Sequence, residues 1–223
     1  TRAIGVGLFI LERSRVDIQE LRTTLEKELG AKLISARILL GRMRVIEERS
    51  RQTFAYMDDT YTPFYYHLGK HVQPRYLLKV GFRLGLLSGC FLKSCRSVEK
   101  FVGFQEQEDE YFSPRMGVAN IKDAYPNPRA VDVHVGSFLD DDFTKVLKSE
   151  SWDMVMFNEQ TTYDKMRLHM DLVWPQMKVG GLMVVEYVNY HESTGDVFRD
   201  FCKVQGREPT VVNTRYGVGL IER

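Results

Sequence analysis

The chain has 223 residues, of which 43% are hydrophobic and 27% are charged. This composition is close to that of average globular proteins, so it excludes a disordered, collagen-like or disulfide-rich chain. The length suits one large domain, or one domain with an extension. The 31 basic and 30 acidic side chains leave a formal net charge of +1, which argues against a dedicated nucleic-acid binder.

The charge is unevenly distributed along the chain. Residues 1–70 carry 12 basic and 9 acidic side chains, whereas residues 71–223 carry 19 and 21. Six of the basic residues fall within 31–51, which holds only two acidic ones. We interpret this segment either as the solvated face of a helix or as a surface for an acidic partner.

The cysteines number three and include no CxxC pair: Cys90, Cys95 and Cys202. This pattern predicts reduced thiols rather than a disulfide framework or a zinc site, and reduced thiols are typical of an intracellular protein. The longest apolar run near the N-terminus, residues 4–11, is far shorter than the roughly 20 residues that cross a bilayer. We therefore predict neither a membrane span nor an intact signal peptide.

Residues 17–57 are predicted to be helical, because apolar side chains recur at every third or fourth position. Asp17 and Glu20 form a candidate capping box at the start, and two internal glycines leave open one long helix or two. The apolar stripe must be buried, either against the following domain or against the same helix of another subunit. Residues 58–75 are rich in Tyr, Phe, His and Pro; they are interpreted as a packed lid on the next domain or, alternatively, as an aromatic ligand site.

From residue 76 onward, short apolar runs alternate with segments of helical periodicity. The predicted strands are 76–81, 100–105, 130–135, 152–157, 181–186, 210–214 and 217–222, and the predicted helices are 86–95, 108–123, 143–149, 163–177 and 195–205. This alternation predicts an α/β fold with a mostly parallel seven-stranded sheet, helices on both faces and an antiparallel pair at one edge. Ligands of such sheets bind at the carboxyl ends of the strands.

Four segments at these strands carry recognisable motifs. They are LKVGFRLGLLS at 78–88, VHVGSFL at 133–139, WDMVMFNEQTTY at 152–163 and WPQMKVGGLMVVEY at 174–187. Read together, they resemble the class I S-adenosylmethionine-dependent methyltransferases, and most closely the branch that O-methylates macrolide sugars, cephalosporin precursors and related hydroxylated compounds. The resemblance covers about residues 76–222. It implies a Rossmann-like methyltransferase domain at 76–223 that follows an N-terminal helical extension and lid-like segment at 1–75.

The resemblance also implies a cofactor site for S-adenosylmethionine and a base that removes a proton from the acceptor. Carried over by position, the cofactor residues are Gly81, Gly85, Ser88, Gln105, Ser137 and Asn158, and the candidate bases are Glu186, His191 and Tyr163. His169, on the same predicted helix as Tyr163, is expected to be a surface or half-buried histidine rather than a base. His134 lies inside a predicted strand and is expected to be packed.

Several positions depart from the family pattern, and each departure removes an acid or another metal ligand. Lys79 stands where the family has an acid before the first glycine, and Gln105 stands where an acid binds the ribose. The family's metal-binding Asp and its His are replaced by Asn158 and Thr161, and the second acid of the fifth strand is replaced by Tyr187. A hard divalent cation prefers several carboxylate oxygens, so these departures argue against a metal.

Two functions from different classes follow. The chain is either an S-adenosylmethionine-dependent O-methyltransferase for a small hydroxylated acceptor, or a non-catalytic methyltransferase-fold subunit with a structural or assembly role. Residues 17–57 are the expected contact in a homo-oligomer or a larger protein assembly. A third alternative, an RNA-associated methyltransferase-like protein, rests only on the basic residues within 31–51. No membrane partner is predicted.

Overall fold

The computed structural model describes residues 17–31, 60–106, 114–124, 131–159, 161–190 and 192–223. The helices in these ranges are α1 (Ile18–Ala31), α2 (Thr62–Val72), α3 (Leu86–Ser94), α4 (Pro114–Ala124), α5 (Asp141–Ser149), α6 (Tyr163–Val173) and α7 (Glu192–Val204), with a short 3-10 helix at Trp174–Gln176. The strands are β1 (Tyr76–Val80), β2 (Lys100–Gln105), β3 (Val131–Val135), β4 (Trp152–Phe157), β5 (Met177–Glu186), β6 (Thr210–Val212) and β7 (Val218–Glu222).

The strands form one seven-stranded sheet in the order β3-β2-β1-β4-β5-β7-β6. The first five strands in this order pair in parallel, whereas β7 runs antiparallel to both β5 and β6. The predicted α/β class, the mostly parallel sheet and the antiparallel pair at one edge are therefore confirmed. The strand order reverses between β1 and β4, and the carboxyl ends of these two strands lie side by side there.

The largest difference from the predicted elements lies before β5. Helix α6 ends at Val173 rather than at residue 177, and β5 begins at Met177, four residues earlier than predicted. Pro175 has no backbone N–H with which to continue an α-helix, so the chain passes through the 3-10 helix instead. The register of β5 with β4 shifts between Trp152 and Met154, which accommodates the added residues at the start of the strand.

Helices cover both faces of the sheet, and each face has its own apolar layer. Successive strand residues point to opposite faces, so Leu77 packs with α1 to α4 while its neighbour Leu78 packs with α5 to α7. Met154 and Met156 are buried in the first of these layers, and Met166 and Met170 are buried in the second.

Helix α1 packs on the same molecule as the sheet. Asp17 caps the helix, because its Oδ1 accepts hydrogen bonds from the backbone N–H groups of Gln19 (2.8 Å) and Glu20 (3.0 Å). Leu21 and Leu25 are buried in the apolar layer that contains Leu77. The Gln19 amide donates to Thr210 Oγ1 on β6 at 2.9 Å. The rest of the predicted helix, residues 32–57, and the apolar run 4–11 lie outside the described residues.

Helix α2 contains most of the aromatic segment 58–75, and it packs closely on α3. A Cβ on Gly69 would collide with the carbonyl oxygen of Phe91, so the glycine permits this close approach. Phe64 and Tyr65 of the same helix are fully buried. The three cysteines are buried and unpaired, as predicted. Among the described helices, none is long and apolar enough to cross a membrane.

Candidate functional site

The loop between β1 and α3 lies at the carboxyl edge of the sheet and depends on two glycines. Gly81 and Gly85 have φ angles of +78° and +66°, a region that side chains with a Cβ disfavour. A Cβ on Gly81 would also collide with the backbone carbonyl of Asn158 at the end of β4. The loop therefore runs directly against the ends of two adjacent strands, and Gly85 places its last turn at the N-terminus of α3.

The buried ring of Phe82 holds this loop against β2. It is 2% exposed, and a Cβ built on Gly103 of β2 would lie 2.7 Å from its Cδ2 atom. The backbone N–H groups of Gly81 and Phe82 both donate to the Phe104 carbonyl at 3.0 Å. The loop is thus fixed to β2 by its backbone and by one buried ring.

Gln105 stands at the end of β2, where the resemblance places the ribose contact. Its Oε1 accepts a hydrogen bond from the backbone N–H of Arg83 at 2.9 Å. Arg83 has a φ of +51°, so this bond holds a left-handed residue of the glycine loop in place. The side-chain oxygen of Gln105 is therefore engaged within the protein, where it stabilises the glycine loop.

Two other predicted cofactor residues present buried polar atoms near the loop. Asn158 is 5% exposed and Ser88, in the first turn of α3, is 1% exposed. Within the described part of the chain, Asn158 Oδ1 and Ser88 Oγ have no hydrogen-bond partner. A buried polar atom without a partner carries a desolvation cost, so both atoms are suited to a ligand or to water.

Ser137 differs from these two because it is exposed and already used by the backbone. Its N–H donates to Asp140 Oδ2 at 2.8 Å, and its Oγ accepts from the Leu139 N–H at 3.2 Å. These bonds build the turn that leads into α5. The structure therefore places Ser137 at the end of β3 as predicted, with a turn-forming role.

A buried ionic cluster joins Lys79, two residues before Gly81 of the loop, to the candidate base Glu186. Lys79 Nζ donates to Glu186 Oε1 at 2.9 Å, and the Tyr65 hydroxyl donates to the same oxygen. Lys79 Nζ is also 3.4 Å from the Tyr65 hydroxyl oxygen. The side chains of Lys79 and Glu186 are 2% and 0% exposed. The second carboxylate oxygen, Oε2, is buried without a partner among the described atoms.

Burial and charge perturb the other two members of this cluster. Burial lowers the pKa of Lys79, and the Glu186 carboxylate opposes that shift. Burial also raises the pKa of Tyr65 well above its usual value, and the neighbouring Glu186 carboxylate adds to the rise. Tyr65 therefore remains a neutral hydrogen-bond donor at physiological pH.

The remaining candidate bases are not brought to Glu186 by any described contact. Tyr163, at the start of α6, donates its hydroxyl to Asp200 of α7 at 2.9 Å. This hydrogen bond joins α6 to α7. It also raises the pKa of Tyr163. His191 lies outside the described residues.

His169 corrects the expectation of a surface or half-buried side chain. Its imidazole is 2% exposed and stacks on Phe138 with 4.1 Å between ring centroids and 20° between planes. Nδ1 lies 2.8 Å from Glu159 Oε2. The expectation failed because the helical face of α6 that carries His169 is turned toward β4 and the turn before α5. His134, by contrast, is partly buried and pairs with Asp132 at 3.1 Å.

Sequence reasoning missed Lys79 and Tyr65 as members of the site. The sequence could have indicated the role of Lys79, because a charged residue inside the buried run Leu77–Val80 requires a partner of opposite charge. Tyr65 could not be distinguished from its aromatic neighbours, since nothing in a helical pattern shows which side chain reaches a strand 121 residues later.

Comparison with known proteins identifies the fold. No protein-family model matches the chain, and no curated protein matches its sequence. Solved structures do match. One is the O-methyltransferase TomG of Streptomyces achromogenes, involved in tomaymycin synthesis and solved with S-adenosylmethionine, at 15% identity and a TM-score of 0.60 over 92% of this chain and 97% of that one.

Two further structures give the same result. A putative caffeoyl-CoA O-methyltransferase from Staphylococcus aureus is 14% identical with a TM-score of 0.61, over 91% of this chain and 98% of that one. An O-methyltransferase from Bacillus cereus, solved with S-adenosylhomocysteine, is 12% identical with a TM-score of 0.56, over 92% and 91%. At these identities the comparison establishes a shared fold: the chain has the Rossmann-like fold of class I methyltransferases.

The residues at the strand ends fit the cofactor of these neighbours better than they fit a metal. A glycine loop at the N-terminus of α3 and the orphaned Asn158 Oδ1 beside it offer close backbone approach and an acceptor for a polar ligand. The carboxylates at the ends of β4 and β5 are already engaged, Glu186 with Lys79 and Glu159 with His169. Within the described ranges, no group of three His, Cys, Asp or Glu side chains is arranged to hold a metal ion.

Proposed function

We propose that this chain binds S-adenosylmethionine at the carboxyl edge of its sheet and methylates a small hydroxylated acceptor. The observation that carries the proposal is the set of buried polar atoms without partners beside the glycine loop: Ser88 Oγ, Asn158 Oδ1 and Glu186 Oε2. They belong to the N-terminus of α3 and the ends of β4 and β5. A cofactor that hydrogen bonds to the first two atoms and an acceptor that hydrogen bonds to the third would remove these desolvation costs.

Each residue would have a defined part in binding. Gly81 and Gly85 allow the backbone to approach the ligand, and Asn158 Oδ1 accepts a hydrogen bond from its polar end. Gln105 Nε2 and Ser88 Oγ supply further contacts, while Ser137 stabilises the turn next to them. The fold of the neighbours that were solved with S-adenosylmethionine and S-adenosylhomocysteine supports this assignment.

The proposed transfer needs a base for the acceptor proton, and we assign this role to Glu186. S-adenosylmethionine supplies an electrophilic methyl group on a sulfonium. Bound there, it would offer that methyl group to the acceptor oxygen with the demethylated sulfur compound as the leaving group, and Glu186 Oε2 would take the proton that the acceptor loses. Because Oε1 is held by Lys79 and Tyr65, Oε2 is the oxygen that is left to receive it.

The binding step is tested by calorimetric titration with S-adenosylmethionine and S-adenosylhomocysteine. We expect both to bind, and Asn158→Leu to weaken binding by about tenfold, which is the loss of one buried hydrogen bond. Asn213→Leu makes the same change at an exposed asparagine and should leave affinity unchanged. Absence of heat with either ligand at about 1 mM, with a folded protein, contradicts the proposal.

The transfer step is tested separately, by mass spectrometry of mixtures with hydroxylated small molecules. We expect a gain of one methyl group on the acceptor. Glu186→Gln preserves the shape of the side chain but removes the base, so it should abolish transfer while S-adenosylmethionine still binds. Transfer by Glu186→Gln at the wild-type rate would remove Glu186 from the mechanism.

The second candidate function is a non-catalytic methyltransferase-fold subunit, and the Lys79–Glu186 ion pair favours it. The Lys79 ammonium and the Tyr65 hydroxyl both donate to Glu186 Oε1, so the candidate base is already engaged within the protein. This candidate predicts a folded chain that binds neither ligand and that associates through residues 17–57. Sedimentation of the full chain tests it: a monomer at all concentrations contradicts assembly with itself.

A further inference from the structure

Lys79 and Glu186 come from strands that are not neighbours. In the sheet, Lys79 of β1 is level with Met156 of β4, and Met156 is level with Val184 of β5. Glu186 is two residues beyond Val184 and therefore points to the same face. The Lys79 side chain thus crosses the end of β4 to reach the Glu186 carboxylate at 2.9 Å.

The pair is completely removed from water, with side chains 2% and 0% exposed. A buried carboxylate needs a counter-charge, because its desolvation costs several kcal/mol. Tyr65 adds a hydrogen bond but no charge. Lys79 is therefore the group that balances the charge of Glu186, and it does so from a covalently fixed position on β1.

The same edge lacks acids that the family pattern has and that a divalent cation prefers as ligands. The motif positions that resemble metal ligands hold Asn158, Thr161 and Tyr187, and Glu186 alone keeps a carboxylate. The acid expected before the first glycine is replaced by Lys79. Compared with the family pattern, these strand ends carry fewer acids and one additional ammonium, and that ammonium contacts the remaining motif carboxylate, Glu186.

We propose that the Lys79 ammonium is a tethered cation that substitutes for a divalent metal ion at the carboxyl edge of the sheet. Oxygen donors for a metal remain beside it in the Glu186 carboxylate and the Tyr65 hydroxyl, and the positive charge of Lys79 keeps a second cation out. Replacing Lys79 by an acid converts the edge into a divalent-cation site. This inference does not depend on methyl transfer.

The test uses Lys79→Glu in the full chain, with Lys79→Arg as the matched control that keeps the charge. Mn²⁺ is a suitable probe because it prefers oxygen ligands and its binding is read directly by electron paramagnetic resonance. We expect Lys79→Glu to bind one Mn²⁺ and to gain thermal stability with it. Wild type and Lys79→Arg should show neither effect.

Because Lys79→Glu places two carboxylates together, its folding is measured as well. Refolding from urea should depend on Mn²⁺ for this variant and not for wild type. Lys79→Met provides a second variant, whose melting temperature should rise with Mn²⁺ because Glu186 then lacks its cation; Lys79→Met combined with Glu186→Leu should lose that response. The proposal is overturned if neither Lys79→Glu nor Lys79→Met responds to Mn²⁺, or if wild type binds it equally well.

Discussion

The phenyl ring of Phe82 occupies the space that a side chain at position 103 would need. A Cβ on Gly103 would lie 2.7 Å from the ring, and a Cβ on Gly85 would lie 3.1 Å from it. The glycine loop that we assign to ligand binding is therefore built over one aromatic side chain, which connects it to β2 and to α4. Loss of the ring should affect both stability and the shape of the site.

Phe82→Ala is predicted to lower the free energy of unfolding by about 3–5 kcal/mol, because it leaves a cavity between a strand and a helix. Urea denaturation measures the change. The control is Leu139→Ala at a position that is 59% exposed, where we expect a change within about 0.5 kcal/mol. A loss of less than about 1 kcal/mol for Phe82→Ala would show that the ring does not anchor the loop.

Lys79→Met is predicted to destabilise the fold by about 3–5 kcal/mol, since it leaves Glu186 buried without a counter-charge. Lys79→Met with Glu186→Leu removes both charges and should recover most of that loss. Chemical denaturation of the single and double variants gives the comparison. If the double variant is less stable than the single one, the ion pair is not the source of the effect.

The contacts of Glu28 with α2 predict that the packing of α1 on α2 depends on pH. Burial raises the pKa of Glu28, but hydrogen bonds from Lys70 (2.9 Å) and His71 (2.8 Å) on α2 outweigh it and hold the pKa below its usual 4.5. The folded state therefore favours the ionised carboxylate, and this stabilisation is complete above pH 4.5 and is lost as the pH falls through the lower, folded-state value.

Glu28→Gln should cost about 1 kcal/mol at pH 7 and progressively less below pH 4.5. Unfolding curves for wild type and the variant between pH 7 and pH 3 provide the measurement. Glu20→Gln, on the exposed side of the same helix, is the control for removing one negative charge. A difference that stays constant with pH would contradict the assigned contact.

The cysteines are predicted to be unreactive in the native state. All three are buried, and burial raises the pKa of Cys202 to about 12, so almost none of it is thiolate at pH 8. A colorimetric thiol assay should detect no rapid reaction in buffer and three thiols in denaturant. Rapid labelling of Cys202 without denaturant would mean that α7 opens locally.

The sequence predicted the buried strands well because their apolar runs have clear limits. The bounds of β2 and β4 agree with the predicted 100–105 and 152–157, since interior parallel strands are apolar on both faces. The start of β5 was missed because Met177–Gly180 carries only a weak strand signal and follows a 3-10 helix that continues from α6 without a loop. Periodicity assigns a residue to a face, but it does not identify partners distant in the chain. The contact of Lys79 with Glu186, 107 residues later, therefore had to come from the structure.

Helix α1, the first described helix, contacts β6 and the segment that follows it near the end of the sequence. Gln19 of α1 bonds to Thr210, and Glu26 Oε1 accepts from the backbone N–H of Asn213, across 191 and 187 residues of sequence. During synthesis α1 can pack on α2 soon after both leave the ribosome, but the surface that β6 and β7 offer to α1 does not exist until that hairpin has emerged. Closing such distant contacts is slow, and the interval in which the helix waits is when this chain is most exposed to aggregation and to chaperones.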